Sequence, residues 1–205
     1  MAEALGRPPA PPHEDLAARK TRLPGIVDGM AFGAGQSAII VPVPEAEPAV
    51  GAWRTRHDSA AAAGVPAHVT LVYPFLPLAD VDVAAVRAVL DAHPAFEVTF
   101  AATARFPGVL YLAPTPATPF VALVEALVAR WPEAPPYGGA FPEIVPHLTV
   151  TERAPEPVMA AAEAELTAAL PISARVTAAA LIGYDGAHWT HRAWLPLRAD
   201  QPGPA

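Results

Sequence analysis

The sequence predicts an α+β fold. It reads as a bilobal duplicated unit, with two largely antiparallel sheets flanked by helices and related by a pseudo-twofold axis around a central cleft. Three observations carry this. The order strand, helix, strand, helix, strand runs twice between residues 36 and 197. Each pass contains a His-x-Thr strand that begins after Val-Pro, "VPAHVT" at 65–70 and "VPHLT" at 145–149. The spacing also repeats: His68 precedes Val98 by 30 residues, and His147 precedes Val176 by 29.

The elements are set by local pattern. Residues 1–35 are rich in Pro, Gly and Ala with no sustained period, so they read as a flexible N-terminal extension, with at most a turn or two of helix over 14–20. "SAIIVPV" (37–43) is a short apolar run and a strand. Residues 46–63 are Ala-rich, with Val50, Trp53 and Arg54 at helical spacing, and Gly64 ends the helix. "AHVTLVYPF" (67–75) is the first His-x-Thr strand. "DVDVAAVRAVLDAH" (80–93) puts Val83, Val86, Val89 and Leu90 on one helical face behind an acidic start. "AFEVTFAA" (95–102) alternates as a strand and closes repeat one, about 36–107. Repeat two, about 108–197, runs through a strand at 108–114, a helix at 117–130 with Pro119 near its start, and a turn-rich loop. It continues with the second His-x-Thr strand at 145–152, a helix at 156–170, and strands at 172–184 and 188–197 joined by "DGA". A flexible tail, 198–205, ends the chain.

Composition bounds the chemistry. Of 205 residues, 53% are hydrophobic and 16% charged, enough for a packed core. Cysteine is absent, which removes disulfides and thiol nucleophiles and fits a reducing compartment. No signal peptide or membrane span is readable, so a soluble cytoplasmic monomer is expected. A net charge of −7 argues against duplex DNA as a partner, because phosphate neutralisation dominates that affinity. Lys20 is the lone lysine, so arginine usage reflects a GC-rich codon bias more than phosphate binding.

The His-x-Thr pairs carry the functional signal. Alternate residues of a strand share a face, so His68 and Thr70 point one way, and His147, Thr149, Thr151 and Arg153 share another face. About a twofold axis the two pairs meet across one cleft. Imidazole titrates near neutrality, so one ring serves as base while the other serves as acid. The threonine hydroxyls donate to a phosphoryl oxygen. Spacing alone proves little, since His57 and His188 also have Ser or Thr two places on. His57 falls on a helix, where such residues do not share a face, and His188 comes after a turn.

"HVTLVYPF" and "PHLTV", with histidines 79 residues apart, resemble the paired motifs of the two-histidine (2H) phosphoesterase superfamily, and most closely its bacterial 2′-5′ RNA ligase-like, or cyclic phosphodiesterase, family. The resemblance spans about residues 36–197. It implies an enzyme without metal or cofactor that acts on a small nucleotide or RNA end, opening 2′,3′-cyclic phosphates or cleaving and forming 2′-5′ linkages. It assigns His68 and His147 as the acid/base pair and Thr70 and Thr149 as phosphate contacts; which histidine is base stays open. The alternative is a non-catalytic module binding nucleotides or RNA ends in the same cleft.

Other residues are candidates by position. Arg153 lies on the face of His147, within reach of a phosphate. Tyr73 is a base-stacking candidate, with Phe75, Phe106, Tyr111 and Tyr137 behind it. Arg105 is a weaker candidate for the cleft wall, and the "YGGA" turn (137–140) offers backbone N–H groups. Trp189 and Trp194 read as packing in the last strand pair, and Glu163 and Glu165 as a solvated helix face. His188 and His191 face opposite sides of a strand, and without cysteines or clustered carboxylates they make no zinc site.

Overall fold

The computed structural model describes residues 32–199. The helical turns expected over 14–20, the rest of the N-terminal extension to residue 31, and residues 200–205 lie outside the described residues. At the near end of the expected tail, Arg198 is held in place: its N–H donates to His93 O at 2.8 Å, and it bridges Pro94.

Among the described residues, eight strands form two four-stranded sheets, antiparallel throughout. The first sheet has the order β2-β1-β7-β8, from β1 (Ser37–Pro42), β2 (His68–Val72), β7 (Ala178–Tyr184) and β8 (Trp189–Pro196). The second has the order β5-β4-β3-β6, from β3 (Phe96–Phe106), β4 (Val109–Thr115), β5 (Leu148–Glu152) and β6 (Ile172–Val176). The helices are α1 (Glu47–His57), α2 (Ser59–Ala62), α3 (Val83–Leu90), α4 (Thr118–Arg130) and α5 (Glu156–Thr167). The two orders superpose as a duplicated unit, β2 on β5 and β1 on β4. Neither sheet is built from one half of the chain: β7 and β8 complete the first, and β3 sits between β4 and β6 in the second.

That exchange overturns two expectations. The single strand over 172–184 is two strands, broken at Thr177, with β6 pairing with β3 and β7 with β1. In the strand order, β7 and not β6 holds the place equivalent to β3, so the matched spacing to Val98 and Val176 does not mark equivalent strands. The pattern changes at this point, alternating over β6 and continuously buried over β7, but neither half names the distant strand it pairs with.

The helix over 46–63 is also divided. A 3-10 turn at Pro44–Ala46 leads into α1, and Asp58 adopts an extended conformation that ends α1 and caps α2. Its side chain accepts from Ala60 N at 2.9 Å. The helix expected over 80–93 is trimmed to α3, where Asp82 accepts from Ala84 N and Ala85 N at 3.0 and 3.1 Å. At the β3–β4 hairpin, Gly108 takes a φ of 76°, which a side-chain-bearing residue adopts only under strain.

One main core joins the layers. Ile39, Val41, Val69 and Leu71 of the first sheet meet Leu110, Leu112, Leu148 and Val150 of the second, with Val86 and Leu90 (α3), Phe120 and Leu127 (α4) and Leu166 (α5). Each such side chain contributes roughly 1.5–3 kcal/mol by leaving water. The opposite face of β1 and β7 carries a smaller cluster, Ala38, Ile40, Ala180 and Ile182, with Val65 and Trp189. Among the described residues, no helix is long and apolar enough to cross a membrane.

Candidate active site

The edge strands β2 and β5 approach each other, and they carry the two His-x-Thr pairs. His68 opens β2 opposite Pro42, and His147 immediately precedes β5. Both rings are held the same way. His68 Nδ1 bonds Pro66 O at 2.7 Å, and His147 Nδ1 bonds Val145 O at 2.8 Å, in each case the carbonyl two residues back. A carbonyl only accepts, so the proton sits on Nδ1 and each Nε2 keeps a lone pair for chemistry. The shared Val-Pro segment thus serves both histidines, using Pro66 in one copy and Val145 in the other because the second copy is one residue shorter.

Each strand also bulges just past its threonine. In β2, Thr70 faces Ile40 while Val72 faces Ile39, leaving Leu71 extra. In β5, Thr149 faces Tyr111 while Thr151 faces Leu110, leaving Val150 extra. Matching bulges beside the paired motifs re-aim the side chains beyond each threonine, a device common next to active sites. Neighbours along β4 point to opposite faces, so Thr151 turns away from Thr149 and is fully buried, its hydroxyl without a hydrogen-bond partner. The expected common face of His147, Thr149, Thr151 and Arg153 therefore ends at Thr149. Arg153 lies beyond β5 with a left-handed φ of 50°.

Electrostatics favours neutral rings. Burial, then the Arg54 guanidinium, push the His68 pKa down to about 3, with a further contribution from His147 across the site. Burial also lowers that of His147. Arg54 is 2% exposed on α1; its Nε donates to Asp58 Oδ2 at 3.0 Å, and Nη2 lies 2.8 Å from the same oxygen but off hydrogen-bond alignment. Glu47 Oε1 lies 3.7 Å from Arg54 Nη1 and accepts the N–H of Ala67, the residue before His68. The signal in sequence for this buried pair and cap is Arg54…Asp58 at i,i+4, with Asp ahead of "SAAAAG". The surrounding Ala-rich run hides it, because it reads as one continuous helix.

The remaining candidates separate. Tyr137 hydrogen-bonds Thr70 through its hydroxyl, and burial raises its phenol to about 12, so it stays protonated. Its N–H donates to Tyr73 O at 2.6 Å, and its φ is a left-handed 53°. The "YGGA" loop thus leans on the end of β2. Phe106 and Tyr111 stack at 4.4 Å, and each meets His147 in a T-shaped contact, at 5.3 and 5.5 Å. Tyr73, expected as a stacking face, packs instead with Phe32 and Trp189, and its hydroxyl donates to Gln36 Oε1 at 3.3 Å. Phe75 packs against Trp131 in the main core. Arg105 faces α5, where Glu156 and Glu163 each lie 2.5 Å from its guanidinium; Glu163 also accepts from Thr103, so this partly exposed residue is paired as well. Trp194, expected to pack, is 54% exposed.

The pKa shifts set a sign for the pH profile. Both rings are neutral at pH 7 in the free protein, so a pair sharing one proton forms only as pH falls through the higher of two lowered values. If the two rings act as an acid/base pair, the bell in kcat/KM should therefore be centred below pH 6.5. A kcat/KM profile that keeps rising from pH 6 to pH 8 would contradict this environment.

A family model described as the 2′-5′ RNA ligase superfamily matches residues 42–188. Among solved structures, Escherichia coli LigT in its apo form aligns with a TM-score of 0.52 at 20% identity, covering 80% of this chain and 98% of that one. LigT complexed with NADP+ aligns at 0.51 and 18% identity, with 80% and 98% coverage. A structure described as a phosphoesterase aligns at 0.50 and 18% identity, covering 80% of this chain and 99% of that one. At these identities the likeness is one of fold. No curated protein matches the chain by sequence.

Proposed function

The chain belongs to the 2′-5′ RNA ligase superfamily, and on that premise we propose that it is a 2H phosphoesterase that opens 2′,3′-cyclic phosphates on nucleotides or RNA ends, or cleaves and forms 2′-5′ linkages, by acid/base catalysis. The observation that carries the reading is the identical locking of both rings through Nδ1, which presents two Nε2 atoms from facing strands.

The cyclic phosphate lies between the two pairs, its oxygens taking hydrogen bonds from Thr70 and Thr149. The Tyr137 hydroxyl gives up its bond to Thr70 as phosphate arrives. The Arg54 charge acts on His68 and not on His147, so we place the proton of the singly protonated pair on His147. His68 Nε2 then takes a proton from water as the water oxygen bonds phosphorus. His147 gives its proton to the departing ribose oxygen, leaving a 2′-phosphate. With a ribose 5′-hydroxyl in place of water as the nucleophile, the same groups form a 2′-5′ linkage: His68 takes the hydroxyl proton as its oxygen bonds phosphorus, and the 3′-oxygen leaves with the proton of His147. One proton is accepted and one is given, so the pair is reset by a proton exchange with solvent.

The test is turnover of a 2′,3′-cyclic nucleotide in EDTA. The expected result is hydrolysis at a rate within about twofold of that without chelator. Saturable binding with no turnover would replace the enzyme by the non-catalytic binding module.

A further inference from the structure

Each ring is locked to one carbonyl, but the peptide groups that supply the two carbonyls differ. Pro66 O belongs to the peptide joining Pro66 to Ala67, and the N–H of that same peptide donates to Glu47 Oε1. A trans peptide points its C=O and N–H in opposite directions, so one planar group reaches His68 Nδ1 on one side and a carboxylate on the other. In the second copy the Val145 carbonyl is joined to Pro146, whose nitrogen carries no hydrogen. No carboxylate can reach His147 by that route. Ala67, the one residue by which "VPAHVT" exceeds "VPHLT", supplies the donor.

The surroundings hold the carboxylate at this peptide. Glu47 opens α1, and Gly51 lies one turn further on. A Cβ at Gly51 would come within 2.9 Å of Glu47 Oε2, so a side chain there would push the carboxylate from its place. Glycine weakens a helix interior, and here its missing side chain leaves the carboxylate room. Ala67 is fully buried, and its C=O accepts from Val43 N at 2.8 Å, which ties this segment to the end of β1. Arg54 Nη1 lies 3.7 Å from the same Glu47 oxygen; its charge opposes protonation of His68, and the carboxylate counters it.

We infer that Glu47 is a positioning residue for His68, acting through the Pro66–Ala67 peptide to strengthen the hydrogen bond at Nδ1 as Nε2 takes up a proton. The inference rests on the function proposed above and deepens the role of the same site. An anion on the N–H polarises the amide and raises the negative charge on its oxygen. The imidazolium formed when His68 takes a proton from water donates more strongly from Nδ1 than the neutral ring does. The carboxylate therefore stabilises the charged ring more than the neutral one, which is the difference that speeds a reaction. His147 starts protonated and loses its charge in that step, and its proline-linked carbonyl has no such support.

Glu47→Gln is the test, because an amide oxygen can still accept from Ala67 while the charge is gone. On a 2′,3′-cyclic nucleotide kcat should fall by about three- to tenfold, with KM and the urea midpoint unchanged. An unchanged kcat in an active enzyme overturns the inference. Proton–nitrogen NMR of histidine-labelled protein reads the relay without turnover, with His68→Ala and His147→Ala assigning the two Nδ1–H signals. In Glu47→Gln the His68 signal should move upfield, the mark of a weaker hydrogen bond, while the His147 signal stays. A stationary His68 signal, or equal movement of both, overturns the relay. If the wild type turns over no cyclic nucleotide, the proposed activity fails, and the NMR shift alone decides whether Glu47 acts on His68.

Discussion

His68→Ala and His147→Ala should each lower kcat on a 2′,3′-cyclic phosphate by about 10²–10⁴-fold, the usual contribution of a positioned general acid or base. The fold should survive both changes. Each ring makes one hydrogen bond, to Pro66 O or Val145 O, and losing such a bond costs about 1 kcal/mol. Circular dichroism and a denaturant midpoint check that point. The pH profile separates catalysis from damage, since a single remaining imidazole leaves one titrating limb where the wild type has two. Near-normal turnover in either variant would remove the two-histidine mechanism. An equal collapse of folding and activity would return the histidines to a packing role.

The largest stability effect should come from a residue outside the motifs. Asp58→Ala leaves Arg54 buried at 2% exposure, with Glu47 at 3.7 Å as its remaining anionic neighbour. Removing one partner of a buried ion pair costs about 3–5 kcal/mol, because the other charge stays desolvated. The cap on α2 goes with it, at about 1 kcal/mol. Urea unfolding measures the sum. Arg54→Met combined with Asp58→Ala should recover much of the loss, since an apolar side chain carries no charge to strand. A single-variant loss below about 0.5 kcal/mol would mean that the guanidinium finds water or a new partner, and the account of Arg54 beside His68 would fall with it.

Much of the architecture is legible in the chain for identifiable reasons. Period-two and period-3.6 patterns locate the strands and helices to within a few residues. Gly64, at a left-handed φ of 94°, marks a real boundary because its backbone preference is local. Where sequence and structure differ, the deciding fact is non-local. The run 172–184 alternates over Ile172–Val176 and is apolar from Ala178, but neither half names the distant strand it pairs with, so the change of sheet at Thr177 is decided by β3 and β1. Arg105 is an ordinary strand arginine until α5 brings Glu156 and Glu163 against it. Arg153 has the same parity as His147 in the chain, and a bulge at Val150 cancels it.

The two His-x-Thr pairs, their strands and their Val-Pro approach are set by the chain locally, since side-chain alternation and proline's fixed φ act within a few residues. Three further facts come from packing. β2 and β5 are facing edge strands, Arg54 lies buried beside His68, and Glu47 accepts the N–H of Ala67. Each of them joins residues far apart in the chain. Sheet order, desolvation and side-chain bonds to a distant backbone exist only once distant segments have packed together.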